Sequence, residues 1–283
     1  MSTRDESETL PRIAMLGVGS MGGAILAGLR SPGVRVDGPI AVTAKSAASA
    51  ERYADAEGVI AHATESDPEA NRKAVRGAGL VVLGVKPWLI HDLLREIAED
   101  LEPGAIVVSV AAGVTIASME AIVGDRVSVV RAMPNTPATV GLGVTGVAGG
   151  PSAGAEAVET VRSLFATVGQ VLVVREDQIN AIAAVSGSGP AYLFLYVEEM
   201  TAAARRLGFT EEQAAALAEG TVVGAAELLR RSGEDPAELR RRVTSPKGTT
   251  EQAVNVLQDG GWPELFDRAF AANIRRSEEL SAG

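Results

Sequence analysis

The chain predicts a parallel, doubly wound α/β sheet followed by an all-helical segment. Three observations lead there. An apolar run at Ile13–Leu16 passes into glycines spaced G-x-G-x-x-G (Gly17, Gly19, Gly22) and then into an apolar helical pattern. Short, continuous apolar runs then recur between helical stretches as far as about residue 174, as expected for strands covered on both faces. After about Asp177 the strand runs cease and only helical patterns follow.

The opening element carries the first functional signal. Gly17 lets the chain turn tightly out of the strand, Gly19 lets a pyrophosphate approach the backbone, and Gly22 lets the helix pack close to the strand. Ser20 and Met21 open the helix, whose free N–H groups would face the phosphates. Dinucleotide binding is therefore favoured over a bare glycine-rich turn. The second strand, residues 40–43, runs into Thr43-Ala44-Lys45-Ser46. An NAD-type site would place an acid there for the ribose hydroxyls. Lys45 and Ser46 instead suit a 2′-phosphate, so NADPH is the expected coenzyme, with NADH second. A solvated Lys45 is the competing reading.

Further strands are expected at residues 80–85, 106–110, 127–131, 144–148 and 170–174, and helices at 21–29, 89–101 and 155–167. Val85-Lys86-Pro87 ends the third strand. Ala111-Ala112-Gly113 ends the fourth, where small residues leave room for a flat ring. Met133-Pro134-Asn135-Thr136-Pro137 follows the fifth. In open α/β sheets these carboxyl ends are where ligands bind. In the C-terminal part, helices are expected at 177–185, interrupted by Ser186-Gly187-Ser188-Gly189-Pro190, then at 191–207, from Thr210-Glu211-Glu212-Gln213 (a capping box) to about 231, from Asp235-Pro236 onward, from Thr249 to about 257, and at 263–280. The stretch 214–229 is apolar nearly all round, which suggests burial against another subunit, with a large buried core helix as the competing reading.

Bulk composition narrows the field. Net charge is -10, against a nucleic-acid or anionic-membrane surface. There is no cysteine, which removes disulfides, thiolate nucleophiles and cysteine-bound zinc, and the two histidines, His62 and His91, are too few for a histidine-rich metal site. No metal is expected. Residues 1–10 read as a loose polar tail without the features of a signal peptide, and no apolar run approaches a membrane span. A cytoplasmic protein follows as the expectation, divided into a tail (1–10), a dinucleotide-binding domain (11–176) and a helical domain (177–283).

The loop at residues 244–250 is the remaining candidate site. Thr249 and Thr250 open a helix whose N–H groups could take a carboxylate, and Ser245 adds a hydroxyl. A plain Ser-Pro helix cap explains it equally well. Reduction of a carbonyl usually calls for a His, Tyr or Lys proton donor. A protonated imine carries its own charge and needs less.

Taken in order, the motifs at Gly17–Gly23, Val85–Pro87, Ala111–Ile116, Arg131–Pro137 and Ser186–Tyr192, with a sixth at Val243–Thr250, resemble the pyrroline-5-carboxylate reductase family over residues 11–280. The resemblance implies a Rossmann-like NAD(P)H domain followed by an interleaving helical dimerisation domain, with five dimers forming a decamer in many members. It implies hydride reduction of the cyclic imine L-1-pyrroline-5-carboxylate to L-proline, the last step of proline biosynthesis. Thr250 would bond the ring nitrogen, and Ser245, Gly248, Thr249 and Thr250 would surround the substrate. Gly17, Gly19, Ser20, Met21, Gly22, Lys45, Ser46, Asn71, Val85, Lys86, Pro87, Ala111, Ala112, Gly113, Pro134 and Asn135 would surround the coenzyme. The active site would lie between the coenzyme and the 243–250 loop, with the partner subunit helping to form it.

One departure stands out. The family's loop commonly reads Ser-Pro-Gly-Gly, then Ala or Thr, then Thr, whereas here Lys247 replaces the first glycine. A lysine argues against a strongly positive φ at that position, and it could add positive charge near the substrate carboxylate. Two rivals remain: a β-hydroxyacid-type dehydrogenase using Lys247 as its acid/base, and a non-catalytic NADPH-binding protein.

Overall fold

The computed structural model describes residues 9–282, with side chains to residue 279. The tail expected at residues 1–8 lies outside the described residues. Leu10 does not belong to a tail: it is buried, bridges to Val36, and donates its N–H to the Arg35 carbonyl. The chain forms two compact units. One runs to Ser188 and also takes in the chain from Asn273; the other is Gly189–Ala272.

The first unit is built on eight strands: β1 (Ile13–Leu16), β2 (Ile40–Ala44), β3 (Val59–Ala63), β4 (Leu80–Leu83), β5 (Ile106–Ser109), β6 (Ser128–Met133), β7 (Gly143–Gly149) and β8 (Gly169–Val173). Their spatial order is β3-β2-β1-β4-β5-β6-β7-β8. The order reverses between β1 and β4, the switch point at which open α/β sheets open a crevice. All pairings are parallel except β6 with β7. The link from β6 to β7 is a short 3-10 segment, Thr136–Val140, with no crossover helix, so the chain can only return antiparallel.

Alternation along each strand feeds two cores. Ile13, Met15, Val42, Leu80, Val82, Val108 and Val130 face one side, under α1 (Ser20–Leu29) and α6 (Ala155–Ala166). Ala14, Leu16, Ala41, Val81, Leu83, Val107 and Val129 face the other, under α3 (Ala70–Val75), α4 (Ile90–Ile97) and α5 (Ile116–Val123). This two-sided burial is why the strands read as unbroken apolar runs. A short α2 (Ala47–Glu51) follows β2. β3 was not expected from the sequence. It is an edge strand, half-exposed, and its Val-Ile-Ala-His-Ala lacks the apolar run of its neighbours.

The expected break at Ser186–Pro190 is also corrected. After α7 (Ile179–Ile182) the backbone passes through a π-helical turn, Ala183–Gly187, with Ser188 N–H donating to the Ala183 carbonyl at 2.8 Å, and continues into α8 (Gly189–Arg206). The stretch before Ser188 belongs with the sheet. Ile179, Ala183 and Ala184 are buried, and Ile182 lies over Gly146 of β7, where an added Cβ would come within 2.9 Å of it. The compact units thus divide later in the chain than the 176/177 division read from the sequence.

The second unit comprises α8, α9 (Glu211–Ser232), α10 (Pro236–Arg242), α11 (Thr249–Asp259) and the start of α12 (Trp262–Ala282). Thr210 caps α9 in the expected box with Gln213, and Asp235 caps α10 with Pro236 in the first turn. Its helices leave Phe194, Leu217, Val223, Leu228, Leu265 and Phe266 exposed. Among the described residues no helix is long and apolar enough to cross a membrane.

Candidate active site

The glycine loop leaves β1 at Gly17, whose φ of 82° only glycine adopts without strain. A Cβ there would also run into Val85 at the end of β4. The turn is pinned from β2: Gly17 and Val18 both donate their N–H groups to the Thr43 carbonyl, at 3.0 and 2.8 Å. Gly19 has nothing within 4 Å of where a Cβ would stand, so the space above it is open. α1 then starts at Ser20 with no side-chain cap and no acid in its first turn. The N–H groups of Ser20, Met21 and Gly22 are left for an anion, with the positive end of the helix dipole behind them. Gly22 sits in ordinary contact with Val18, allowing close packing. Open space over a glycine and an uncapped, acid-free helix start fit a dinucleotide pyrophosphate.

Beside this loop lies a cleft of about 290 Å³. It brings together four residues expected from the sequence, Gly17, Lys45, Asn71 and Val85, and adds a wall of Leu89 and Leu93 with an acidic edge of Asp92 and Glu96. Thr43, Ala44 and Thr64 complete it. Sequence reading missed the wall and the acids. Their spacing (89, 92, 93, 96) marks one helical face and was the available signal. No acid stands at the end of β2, as an NAD-type ribose contact would need. Ser46 serves as the cap of α2, accepting from the Ser49 N–H at 3.3 Å and bonding the Ser49 hydroxyl at 3.0 Å. Asn71 lies in the first turn of α3 and is held by two partners: Thr43 Oγ1 donates to its Oδ1 at 2.8 Å, and its Nδ2 donates to Glu96 at 3.1 Å.

The other expected coenzyme residues fall just past the carboxyl ends of β4, β5 and β6, outside the cleft lining. Lys86 and Pro87 begin a 3-10 turn, Pro87–Leu89, with Lys86 exposed. Ala111 is buried and donates its N–H to Ser109 Oγ, Ala112 is half-buried, and Gly113 turns the chain at φ 79°. Pro134 leads from β6 into Asn135. Asn135 is committed to the fold: it is 7% exposed, donates to the Ser186 carbonyl at 2.9 Å, and accepts from Val144 N–H at 2.8 Å. It ties the start of β7 to the π-helical turn. A second tie joins β6 to the helical segment. Buried Arg131 donates to Glu176 at 3.0 Å, and the same carboxylate oxygen accepts from the Ile116 N–H at the start of α5 at 2.7 Å. Glu176 thereby fixes the end of the Ala111–Thr115 loop.

In the second unit, residues 245–250 form a tight loop into α11. Gly248 N–H donates to the Ser245 carbonyl at 2.9 Å, and a Cβ on Gly248 would stand 2.8 Å from that carbonyl oxygen. Gly248 is the N-cap residue of α11 and supplies no side-chain bond. Thr249 and Thr250 open the helix with exposed side chains, and Ser245 is exposed on the same loop. Lys247 overturns the backbone expectation. Its φ is 61°, the left-handed region, and among the described residues it is the only non-glycine residue with positive φ. The loop keeps the shape a glycine would take. Glu251 supports it, its Oε2 accepting from the Lys247 N–H at 2.8 Å.

Comparison with known proteins covers both units. Residues 176–280 match the family model for pyrroline-5-carboxylate reductase dimerisation, and residues 12–113 match the model described as NADP oxidoreductase, coenzyme F420-dependent. The chain is 42% identical to a pyrroline-5-carboxylate reductase of Pseudomonas aeruginosa, over 96% of this chain and 97% of that one. It is 36% identical to the Escherichia coli protein of the same name, over 95% and 98%. A solved pyrroline-5-carboxylate reductase from Coxiella burnetii superposes with a TM-score of 0.88 at 39% identity, covering 97% of this chain and 99% of that one. The chain belongs to the pyrroline-5-carboxylate reductase family.

Proposed function

We propose that this protein reduces L-1-pyrroline-5-carboxylate to L-proline with NADPH. The observation that carries the reading is likeness to pyrroline-5-carboxylate reductases along the whole chain, with a dinucleotide cradle in one unit and a small-acid loop in the other. When bound, the reduced nicotinamide supplies a hydride. The residues do the rest by positioning and electrostatics. The first-turn N–H groups of α1 and the open space over Gly19 would hold the pyrophosphate. Lys45, at an end of β2 that carries no acid, meets the 2′-phosphate and favours NADPH over NADH. Lys86, Pro87 and the Ala111–Gly113 turn line the coenzyme's path along the strand ends, and Pro134 and Asn135 shape the floor there.

On the loop, Ser245 and the N–H groups of Thr249 and Thr250 hold the substrate carboxylate, with Gly248 giving close access. The imine enters protonated, so its ring nitrogen already carries the proton that the amine product keeps. The Thr250 hydroxyl would bond that nitrogen and so fix the orientation of the ring. No acid/base lysine is required, which separates this reading from a hydroxyacid dehydrogenase.

The exposed apolar side chains of α8, α9 and α12 support a homodimer built through the helical unit, and five such dimers make the full assembly. Light scattering behind size exclusion reads that number directly. A cytoplasmic location is part of the same proposal. Steady-state kinetics of Thr250→Ala tests the chemistry. We expect kcat to fall about 10–100-fold for loss of a positioned donor. An unchanged kcat would remove Thr250 from the reaction.

A further inference from the structure

Glu96 offers the coenzyme cleft a carboxylate that hydride transfer does not use. Its neighbour Asp92 is largely exposed and occupied by Arg95 at 2.6 Å. Glu96 is also exposed, yet it is held in place: it takes the Asn71 amide on both oxygens, at 3.1 and 3.3 Å. Each carboxylate oxygen has more than one acceptor site, so capacity remains on the cleft side.

The hydrogen-bond chain that ends at Glu96 runs in one direction. The Gly17 backbone N–H can only donate, and it reaches Thr43 Oγ1 at 3.2 Å. The Thr43 hydroxyl then donates onward to Asn71 Oδ1 at 2.8 Å. That places the Asn71 amide nitrogen toward Glu96 and fixes which end of the side chain is the donor. The same chain begins at the glycine loop, so the loop and the carboxylate are held in one frame.

We propose that Glu96 reads the 6-amino group of the purine in the bound dinucleotide and selects adenine over a 6-oxo purine. The proposal rests on the dinucleotide reading above. Val85, Leu89 and Leu93 give a flat base an apolar wall, and Lys45 stands in the same cleft for a phosphate. A carboxylate there only accepts, so it bonds an exocyclic amine and repels a carbonyl oxygen. Its volume suits part of a dinucleotide rather than the whole.

The direction of the chain fixes what a substitution at Glu96 presents to the base. In Glu96→Gln the Asn71 amide takes the new side-chain oxygen, which turns the glutamine NH2 toward the base. That donor suits the 6-oxo group of hypoxanthine. The test is titration calorimetry of NADP⁺ and its hypoxanthine counterpart, without substrate, on the wild-type protein, Glu96→Gln, Glu96→Ala and Asp92→Asn. The wild type and Asp92→Asn are expected to bind the adenine form about tenfold more tightly, the scale of one hydrogen bond to a charged group. Glu96→Ala is expected to bring the two within about twofold, and Glu96→Gln to bind the hypoxanthine form at least as well. A wild-type ratio near one, or a ratio unchanged in both Glu96 variants, overturns the proposal. A wild type that binds neither dinucleotide refutes the coenzyme reading itself and the proposal with it.

Discussion

Replacing Lys247 by glycine removes a Cβ from a backbone conformation that penalises it. The φ of 61° puts Lys247 in the left-handed region, where a non-glycine residue costs roughly 1–2 kcal/mol. Glycine relieves that cost but enlarges the unfolded ensemble, an opposing effect of about 0.5–1 kcal/mol. Little packing is lost, because the side chain is exposed. The bond from Lys247 N–H to Glu251 is made by the backbone and survives. The balance is a gain of about 0.5–1 kcal/mol, which for a chain of this size raises the melting temperature by about 2 °C. Thermal unfolding should be followed at fixed protein concentration, since association itself stabilises. Lys247→Ala is the control: it keeps the Cβ and should show no gain. A glycine variant less stable than wild type, or an alanine variant that gains as much, would show that the left-handed backbone at Lys247 carries no cost.

Two further outcomes follow from the ties between elements. Asn135→Ala leaves the Val144 N–H and the Ser186 carbonyl without their partner and should cost about 2–4 kcal/mol in denaturant unfolding; a loss below about 0.5 kcal/mol would mean that the amide does not hold the π-helical turn. Asp100 is held below the usual carboxylate range by hydrogen bonds from Arg72 and then Arg76, at 2.6 and 2.9 Å. Its contribution to stability is therefore present above the unfolded value of about 3.9 and drains away as pH falls through the lower folded value. Asp100→Asn should be less stable than wild type at pH 7, with the gap closing as the solution is acidified below about pH 4. A gap that stays constant with pH would show that the ion pairs contribute nothing.

Much of this fold can be read from the chain, and the exceptions have physical reasons. The β1–glycine–α1 unit is legible because each glycine answers a local demand: a positive φ at Gly17, open space at Gly19 and close packing at Gly22. Strands β4 and β5 are legible because both faces are buried. β3 is not, since an edge strand with one neighbour needs no apolar run. The Ser-Gly-Ser-Gly-Pro stretch reads as a breaker, yet Pro190 falls in the first turn of α8, where its missing N–H costs nothing. Gly187 lets the π-helical turn lie against Met133, 3.1 Å from where a Cβ would stand. In the site, Gly17, Lys45, Asn71 and Val85 can be gathered from motifs, because motif spacing encodes the strand ends. Glu96 and Thr43 cannot, because their meaning comes from a hydrogen-bond chain between residues far apart in sequence. Lys247 misleads because its backbone follows the loop's demands rather than its own preference.

Reduction of the imine by NADPH has a fixed stoichiometry. L-1-pyrroline-5-carboxylate should be added to the purified protein with NADPH, and coenzyme oxidation and L-proline followed together. One proline is expected for each NADPH consumed, with NADH a poorer donor. Coenzyme consumed without proline, or no consumption with either coenzyme, would rule out reduction of L-1-pyrroline-5-carboxylate to L-proline by this protein.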